Sequence, residues 1–182
     1  MTSSSTRISR ESGRVAEDAA WQRWLQEYGP PLLLYARQWT SSLVEAEEAV
    51  QDGFVRFWKA GLQSRPDPKP ALYTCVRSAA LDQLRSRQRR QAREQRAAEL
   101  MEAEKPAPLF NDSLEQGEWR EEVERAMATL PEEQRQVLVL KIWGDLTFRQ
   151  IADIQELPLN TVASRYRYAF GSLRKQLGVK RS

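Results

Sequence analysis

Residues 147–167 read TFRQIADIQELPLNTVASRYR, and this stretch decides the fold of the C-terminal half of the chain. Thr147 and Gln150 have the spacing of a capping box, which predicts a short helix that begins after Thr147. A break around Pro158 separates it from a longer helix. A short helix, a tight turn and a second helix with small polar and basic residues outside are typical of a helix-turn-helix motif. An ordinary helical hairpin is the alternative.

The second helix of this motif carries side chains that suit the major groove of DNA. Asn160, Thr161 and Ser164 are small enough to enter a groove and can hydrogen-bond to base edges. Arg165 and Arg167 are long enough to reach phosphates or guanine. The pattern therefore predicts a DNA-reading helix.

Charge is unevenly distributed along the chain. Residues 85–96 hold six arginines and one acid, residues 165–181 hold six basic residues and no acid, and residues 99–122 hold eight acids and two bases. Two basic segments favour two phosphate-facing surfaces, with solvated helix faces as the alternative. We expect the acidic segment to lie against the basic ones through salt-screened attraction, so that the free protein binds duplex DNA poorly.

The composition argues against several classes of function. With a single cysteine, Cys75, the chain has no internal disulfide, which favours a cytoplasmic protein. Because histidine is absent, His-based catalysis and ordinary structural zinc sites are excluded, and no catalytic, metal or cofactor site is predicted. No apolar stretch approaches the roughly 20 residues of a membrane span, and no signal-peptide core follows Met1, so we expect no membrane insertion.

Hydrophobic periodicity predicts an all-α fold of two small helical domains joined by a flexible acidic linker. The predicted boundaries are a disordered tail (1–15), a first domain (16–91), a linker (92–114) and a second domain (115–182). In the first domain, Gly29-Pro30-Pro31 is expected to break or kink a helix, and Ser42 to open another. In the second, Pro131 is expected to begin a helix that buries Ile142.

Several segments, taken in order, resemble the extracytoplasmic-function sigma factors of bacterial RNA polymerase. EAEEAVQDGFVRFW (45–58) resembles their region two, and LYTCVRSAALDQLR (72–85) resembles the end of that region. LPEEQRQVLVL (130–140), GDLTFRQIA (144–152) and NTVASR (160–165) resemble region four. The resemblance implies a factor that directs core RNA polymerase to specific promoters and assists promoter opening, without enzymatic activity of its own. Core RNA polymerase and promoter DNA are the implied partners, and an anti-sigma factor is a further partner that it allows.

The resemblance also implies roles for individual residues. Four are expected to bind polymerase: Glu48, Gln51, Asp52 and Trp58. Seven are expected to hold the opened −10 element, together with the loop Gly61–Pro70: Tyr73, Arg77, Ser78, Asp82, Arg85, Arg89 and Arg90. Seven on the recognition helix are expected to read the −35 element: Leu159, Asn160, Thr161, Ala163, Ser164, Arg165 and Arg167. Core packing is the alternative for Tyr73, and a solvated face is the alternative for the first three polymerase residues.

Four positions depart from the family pattern. The usual tryptophan before the Leu-Tyr pair is Ala71, and the usual asparagine after Arg77 is Ser78. The glycine common in the helix-turn-helix turn is Glu156, and the usual basic residue after Val162 is Ala163. The first two affect the −10 preference, and the last two affect the −35 contacts.

Two other functions compete with this interpretation. A polymerase-independent helix-turn-helix regulator would need only the C-terminal domain and leaves the acidic face of residues 45–58 unexplained. An enzyme acting on nucleic acid would need paired carboxylates or an activated nucleophile, and Asp52 and Asp153 have no evident partner set.

Overall fold

The computed structural model describes residues 21–95 and 117–178, where every regular element is a helix, as the all-α prediction requires. The elements are α1 (21–36), α2 (Leu43–Lys59), a 3-10 turn (Leu62–Ser64), α3 (Lys69–Gln95), α4 (Gly117–Ala128), α5 (Glu132–Ile142), α6 (Phe148–Gln155) and α7 (Leu159–Gln176). The predicted tail 1–15 and linker residues 96–114 lie outside the described residues. The described residues divide into two units at Pro30–Pro31, and all tertiary contacts considered below lie in the second unit.

Two outcomes were predicted at Gly29-Pro30-Pro31, a break or a kink. The break is absent, because residues 29–31 are helical, and the kink stays a prediction. A proline ring fixes φ near −65°, which a helix accepts, and each proline removes one backbone hydrogen bond. The turn after the prolines is buried through Leu32, Leu34 and Tyr35. The burial of these side chains offsets the missing hydrogen bonds. It depends on packing against other helices, so the local sequence around the prolines does not predict it. The helix ends at residue 36, and the Trp39 amide donates to the Ala36 carbonyl at 3.1 Å.

Helix α2 begins where the sequence predicted. Ser42 is the N-cap, and its hydroxyl accepts from the Glu45 amide at 3.2 Å. The Glu45 carboxylate accepts a hydrogen bond from the amide of Ser41, the residue before the N-cap, at 2.8 Å. The same carboxylate pairs with Arg87 of α3 at 2.8 Å. Burial opposes ionisation of Glu45, but the Ser41 hydrogen bonds and Arg87 outweigh it and lower the pKa of this carboxyl.

Helices α2 and α3 pack closely along the predicted apolar stripe. Ala46, Val50, Phe54 and Phe57 are all buried. The approach is closest at Gly53, where a Cβ atom would lie 2.5 Å from Val76 Cγ2 and 2.7 Å from Val76 Cα. Only glycine therefore permits this spacing between the helices.

The loop between α2 and α3 is shorter than predicted. It leaves α2 through Gly61, in the left-handed conformation with φ 65°, and α3 begins at Lys69 rather than Ala71. Pro70 fits there because the first helical turn needs no N–H donor. At its other end, α3 continues through Gln95, so the first residues of the predicted linker are helical.

The second domain packs α4, α5 and α6 around α7. Pro131 precedes α5 as its N-cap, one residue from the predicted N1 position. Residues Val137–Leu140 of α5 are all buried, but Ile142, predicted inside, is 45% exposed at the end of the helix. The chain turns after α5 through Gly144, where a Cβ atom would lie 2.5 Å from the Leu140 carbonyl oxygen. The predicted capping box of Thr147 and Gln150 opens α6.

Candidate nucleic-acid interface

Helices α6 and α7 form the predicted helix-turn-helix. The turn depends on Glu156, which adopts the left-handed conformation with φ 57° and ψ 45° and caps α6. The family's usual glycine would adopt this conformation without the steric cost that a side chain brings. The Phe148 and Tyr166 rings, with centroids 5.3 Å apart, hold the two helices together.

Helix α7, the predicted recognition helix, has a buried face and an exposed one. Val162, Ala169 and Leu173 are buried against the domain core. Among the predicted DNA contacts, Leu159, Asn160 and Arg167 are exposed, whereas Thr161, Ala163, Ser164 and Arg165 are half-buried. The Ser164 hydroxyl donates to the Thr161 carbonyl at 2.9 Å, so it is partly committed within the helix.

Arg165 also has a partner inside the protein. Its guanidinium pairs with the Glu133 carboxylate of α5, and the Arg165 side chain is 23% exposed. This pair fixes α7 to α5 and directs the Arg165 side chain along the domain surface. Glu133 was not predicted as a functional residue, since it lies 32 residues away in sequence. No local pattern identifies such a pair.

A polar cluster on α3 brings together three of the predicted −10 residues. The Arg56 guanidinium of α2 contacts Asp82 Oδ2 at 2.8 Å and Ser78 Oγ at 3.3 Å. Arg85 contacts the other Asp82 oxygen at 3.4 Å. Arg56 was not among the predicted site residues, and its side chain turns from α2 to α3. Arg89 and Arg90 continue along the same helix, exposed.

Tyr73 is not available for stacking on a base in this structure. Its side chain is 1% exposed, and its ring lies 5.7 Å from that of Tyr35 in the core. The alternative of core packing therefore describes Tyr73, and its assignment to the −10 surface is corrected here. Arg77, one turn further along α3, is half-buried and 3.8 Å from the Glu156 carboxylate.

The predicted polymerase-binding residues lie on the outer face of α2. Glu48, Gln51 and Asp52 are exposed, and Trp58 is half-buried with its ring 5.7 Å from that of Phe57. Two apolar side chains share this face at helical spacing: Val44, 63% exposed, and Val55, 40% exposed. Neither valine was predicted, because helical periodicity identifies the buried stripe of α2 and gives no signal for an exposed apolar residue.

Comparisons with known proteins match both domains. Residues 24–90 match the family described as Sigma-70 region 2, and residues 120–171 match Sigma-70, region 4. The ECF RNA polymerase sigma factor RpoE of Cereibacter sphaeroides is 30% identical over 164 residues, which cover 88% of each chain.

This chain belongs to the ECF RNA polymerase sigma factor family.

Other relatives agree with this assignment. The ECF RNA polymerase sigma factor SigL of Mycobacterium tuberculosis is 29% identical over 181 residues, covering 96% of this sigma factor and all of SigL. A solved structure of the sigma factor RpoE in complex with the anti-sigma factor NepR, from Bartonella quintana, aligns with a TM-score of 0.65. It is 23% identical and covers 89% of this sigma factor and 99% of that chain, a likeness that concerns the fold.

Two other kinds of feature, a metal site and a membrane span, are absent from the described part of this sigma factor. Residues 21–95 and 117–178 contain no group of three or more His, Cys, Asp or Glu side chains that could hold a metal ion. None of their helices is long and apolar enough to cross a membrane. Burial raises the pKa of the half-buried Cys75 thiol, although Arg56 and Arg65 act in the opposite direction.

Proposed function

We propose that this sigma factor directs core RNA polymerase to its promoters through three separate surfaces. The outer face of α2 binds polymerase, α3 with its preceding loop holds the opened −10 element, and α7 reads the −35 element. The orientation of α7 carries the proposal: Val162 and Ala169 are buried while Asn160 and Arg167 face solvent. A groove-reading helix presents its N-terminal residues to base edges in this way.

At the −35 element, the exposed residues of α7 supply the direct contacts. Asn160 hydrogen-bonds to a base edge, and the exposed Leu159 suits a thymine methyl group. Arg167 reaches a phosphate or a guanine. Arg165, held by Glu133, orients the helix and adds positive potential beside the groove. Ala163 leaves room for close approach where the family pattern usually has a basic side chain.

At the −10 element, the cluster of Ser78, Asp82 and Arg85 contacts the displaced strand. Arg56 is a positioning residue there, because its guanidinium bridges Ser78 and Asp82 and so fixes both side chains. Arg89 and Arg90 have no small polar neighbours except Ser86 and extend beyond the packed part of α3. They hold phosphates without reading bases.

On α2, polymerase binds a mixed acidic and apolar face. Glu48, Gln51 and Asp52 provide charge and hydrogen bonding, and the exposed Val44 and Val55 provide apolar area. Interfaces generally combine a small apolar centre with a polar rim, which this arrangement matches. Trp58, half-buried at the end of the helix, extends the surface.

The remaining parts of the proposal concern setting and partners. The chain works in the cytoplasm with core polymerase and performs no covalent chemistry itself. A sigma factor of similar fold has been solved with an anti-sigma factor bound. An anti-sigma factor is accordingly proposed as a further partner of this chain.

Binding measurements with purified components test the proposal. Full-length protein, core polymerase and a fluorescent promoter duplex are combined singly and together, with a duplex of scrambled −35 sequence as the control. We expect a promoter-specific complex only when protein and polymerase are both present. Tight, sequence-specific binding by the protein alone would instead favour a polymerase-independent repressor or activator.

A further inference from the structure

The outer surface of α7 divides into two rows of side chains that run along the helix. Residues three or four positions apart lie on the same face of a helix. One row, called the polar row, consists of Asn160, Ser164 and Arg167. The other, called the apolar row, consists of Leu159, Ala163, Tyr166 and Phe170. The first two members of the apolar row have no hydrogen-bonding group in their side chains, so they need a different counterpart on DNA.

The two halves of the apolar row have different surroundings. Tyr166 stacks on Phe170 with ring centroids 5.7 Å apart, and it also lies 5.3 Å from the Phe148 ring of α6. That half therefore fastens α7 to α6. Leu159 and Ala163 belong to the first two turns of α7, where the Leu159 side chain is 43% exposed and Ala163 is half-buried. An apolar surface is therefore open at the end of α7 that would enter a major groove.

The major groove of DNA offers one group that suits an apolar surface. All four bases present hydrogen-bonding atoms there, but thymine also presents the methyl group on C5. Cytosine in the same place would bring its N4 amine, a donor for which neither Leu159 nor Ala163 has an acceptor. A donor that is removed from water without a partner weakens the complex. An apolar pair at this place therefore favours thymine over cytosine.

Ala163 is the residue that makes this surface apolar. The family pattern usually has a basic residue at this position, and a lysine or arginine in the groove pairs best with O6 and N7 of guanine. Ala163 has neither a charge nor a donor, and its single methyl group leaves the neighbouring Leu159 uncovered. The departure at residue 163 therefore replaces a contact suited to guanine by one suited to thymine.

Asn160 complements the apolar pair. It follows Leu159 directly and is exposed in the same turn. An asparagine amide bonds in bidentate fashion to N6 and N7 of adenine, and in an A·T pair these atoms lie in the same groove as the thymine methyl group. The N-terminal end of α7 can therefore contact both bases of A·T pairs.

We propose that Leu159 and Ala163 read thymine methyl groups, so that the −35 element of this sigma factor requires A·T pairs at one or two defined positions. The inference rests on the proposed assignment of α7 to the −35 element and deepens it by naming the base and the group that is read. Burial of one methyl group against Leu159 should raise the affinity by about fourfold.

Replacement of thymine by deoxyuridine tests the inference, because uracil lacks only the methyl group and keeps the base pair. Promoter duplexes are first selected from a random library by the parent protein with core polymerase. Each −35 thymine on either strand is then replaced singly, and binding of the protein–polymerase complex is measured by fluorescence titration. We expect about fourfold weaker binding at one or two thymines and no change at the others. A −35 element without A·T pairs, or one that tolerates uracil everywhere, would overturn the inference.

A pair of matched variants assigns the effect to Leu159. In Leu159→Ala protein, thymine and uracil should bind equally at one or more of the sensitive positions. Ile142→Ala is the control, because Ile142 has the same number of carbon atoms, is 45% exposed and lies at the end of α5, and it should keep the full fourfold effect. Full sensitivity at every position in Leu159→Ala protein would show that another residue reads the methyl group.

A third variant tests the role of residue 163. Ala163→Lys introduces the basic side chain that the family pattern usually has, so the promoter-library assay should show a shift of one −35 position towards guanine. Leu159→Ala should weaken the thymine preference without creating a preference for guanine. Unchanged base preference in Ala163→Lys protein, with helicity intact by circular dichroism, would contradict the placement of residue 163 against the bases.

The outcomes separate this inference from the proposed function. If the parent protein and core polymerase together bind no promoter specifically, the proposed function fails and the inference fails with it. If they bind promoters specifically but uracil replaces every −35 thymine without loss, only the inference fails.

Discussion

Replacing Asn160 by alanine should separate base reading from folding in this sigma factor. Asn160 is exposed in the first turn of α7, and its side chain makes no hydrogen bond to another described residue. Its removal leaves no cavity and no unpaired buried atom. We therefore expect a change in folding free energy within about 0.5 kcal/mol, which thermal denaturation can verify.

The expected loss lies in promoter recognition. One base-edge contact contributes about 1–3 kcal/mol of discrimination, which corresponds to roughly 5- to 150-fold at the base pair concerned. Because Asn160 is uncharged, the salt dependence of binding should not change. Arg89→Ala or Arg90→Ala should behave in the opposite way, since each removes one phosphate contact. Their salt slope should fall by about one, with base preference unchanged.

A promoter-library transcription assay at two salt concentrations distinguishes these outcomes. Each variant is combined with core polymerase, and the ratio of transcripts among −35 sequences is measured separately from total output. We expect Asn160→Ala to flatten preference at one or two −35 positions. A change of base preference in the Arg89 or Arg90 variants, with none in Asn160→Ala, would show that the two roles have been assigned in reverse.

Arg165→Ala should relax base preference as well and also lower the stability of the protein, because Glu133 loses its partner.

The remaining predictions concern docking and stability. Glu48→Lys/Asp52→Lys should weaken binding to core polymerase in a fluorescence titration while circular dichroism stays unchanged, and unaltered affinity would exclude the docking face. Glu45→Gln should lower the free energy of unfolding by about 1 kcal/mol at neutral pH. Because the folded-state pKa of Glu45 is depressed, this difference between the two proteins should persist above about pH 5 and shrink as the pH falls below about 4. A difference that does not change with pH would contradict the lowered pKa. Gly53→Ala should destabilise the protein by roughly 1–3 kcal/mol, because the added Cβ clashes with α3. Gly171→Ala is the control and should be neutral or stabilising, because there is open space where its Cβ would lie. Equal effects of the two substitutions in thermal denaturation would contradict the packing of α2 on α3.

Local chemistry made much of the fold predictable. Ser42 and Thr147 cap α2 and α6 as predicted, and the reciprocal capping box forms between Thr147 and Gln150. At Ser42 only the N-cap half forms, because the Glu45 carboxylate accepts from the Ser41 amide instead of the Ser42 amide. The buried stripe of α2 follows from helical periodicity alone. Of the break or kink expected at Pro30 and Pro31, the break does not occur, because burial of the following turn compensates for two lost hydrogen bonds, an effect of tertiary structure.

The site was predictable only in outline. Residue types indicated which helix would face DNA. Hydrogen bonds and ion pairs within the protein decide which of its side chains remain free to contact DNA. Arg56 with Asp82 and Arg165 with Glu133 join residues 26 and 32 positions apart. Burial of Tyr73 likewise depends on Tyr35 from another helix. Such contacts arise only after the helices pack, so no spacing rule could have identified them.

Run-off transcription with core polymerase tests the central claim most directly. Promoters are selected from a random library by the complex of this protein with core polymerase, and transcripts are then measured with protein and polymerase together and with each alone. We predict initiation from a shared pair of −35 and −10 sequences only when both are present, and loss of the −35 preference with Asn160→Ala. Transcription that is independent of this protein, or selection of the same sequences without polymerase, would contradict the assignment as a promoter-directing sigma factor.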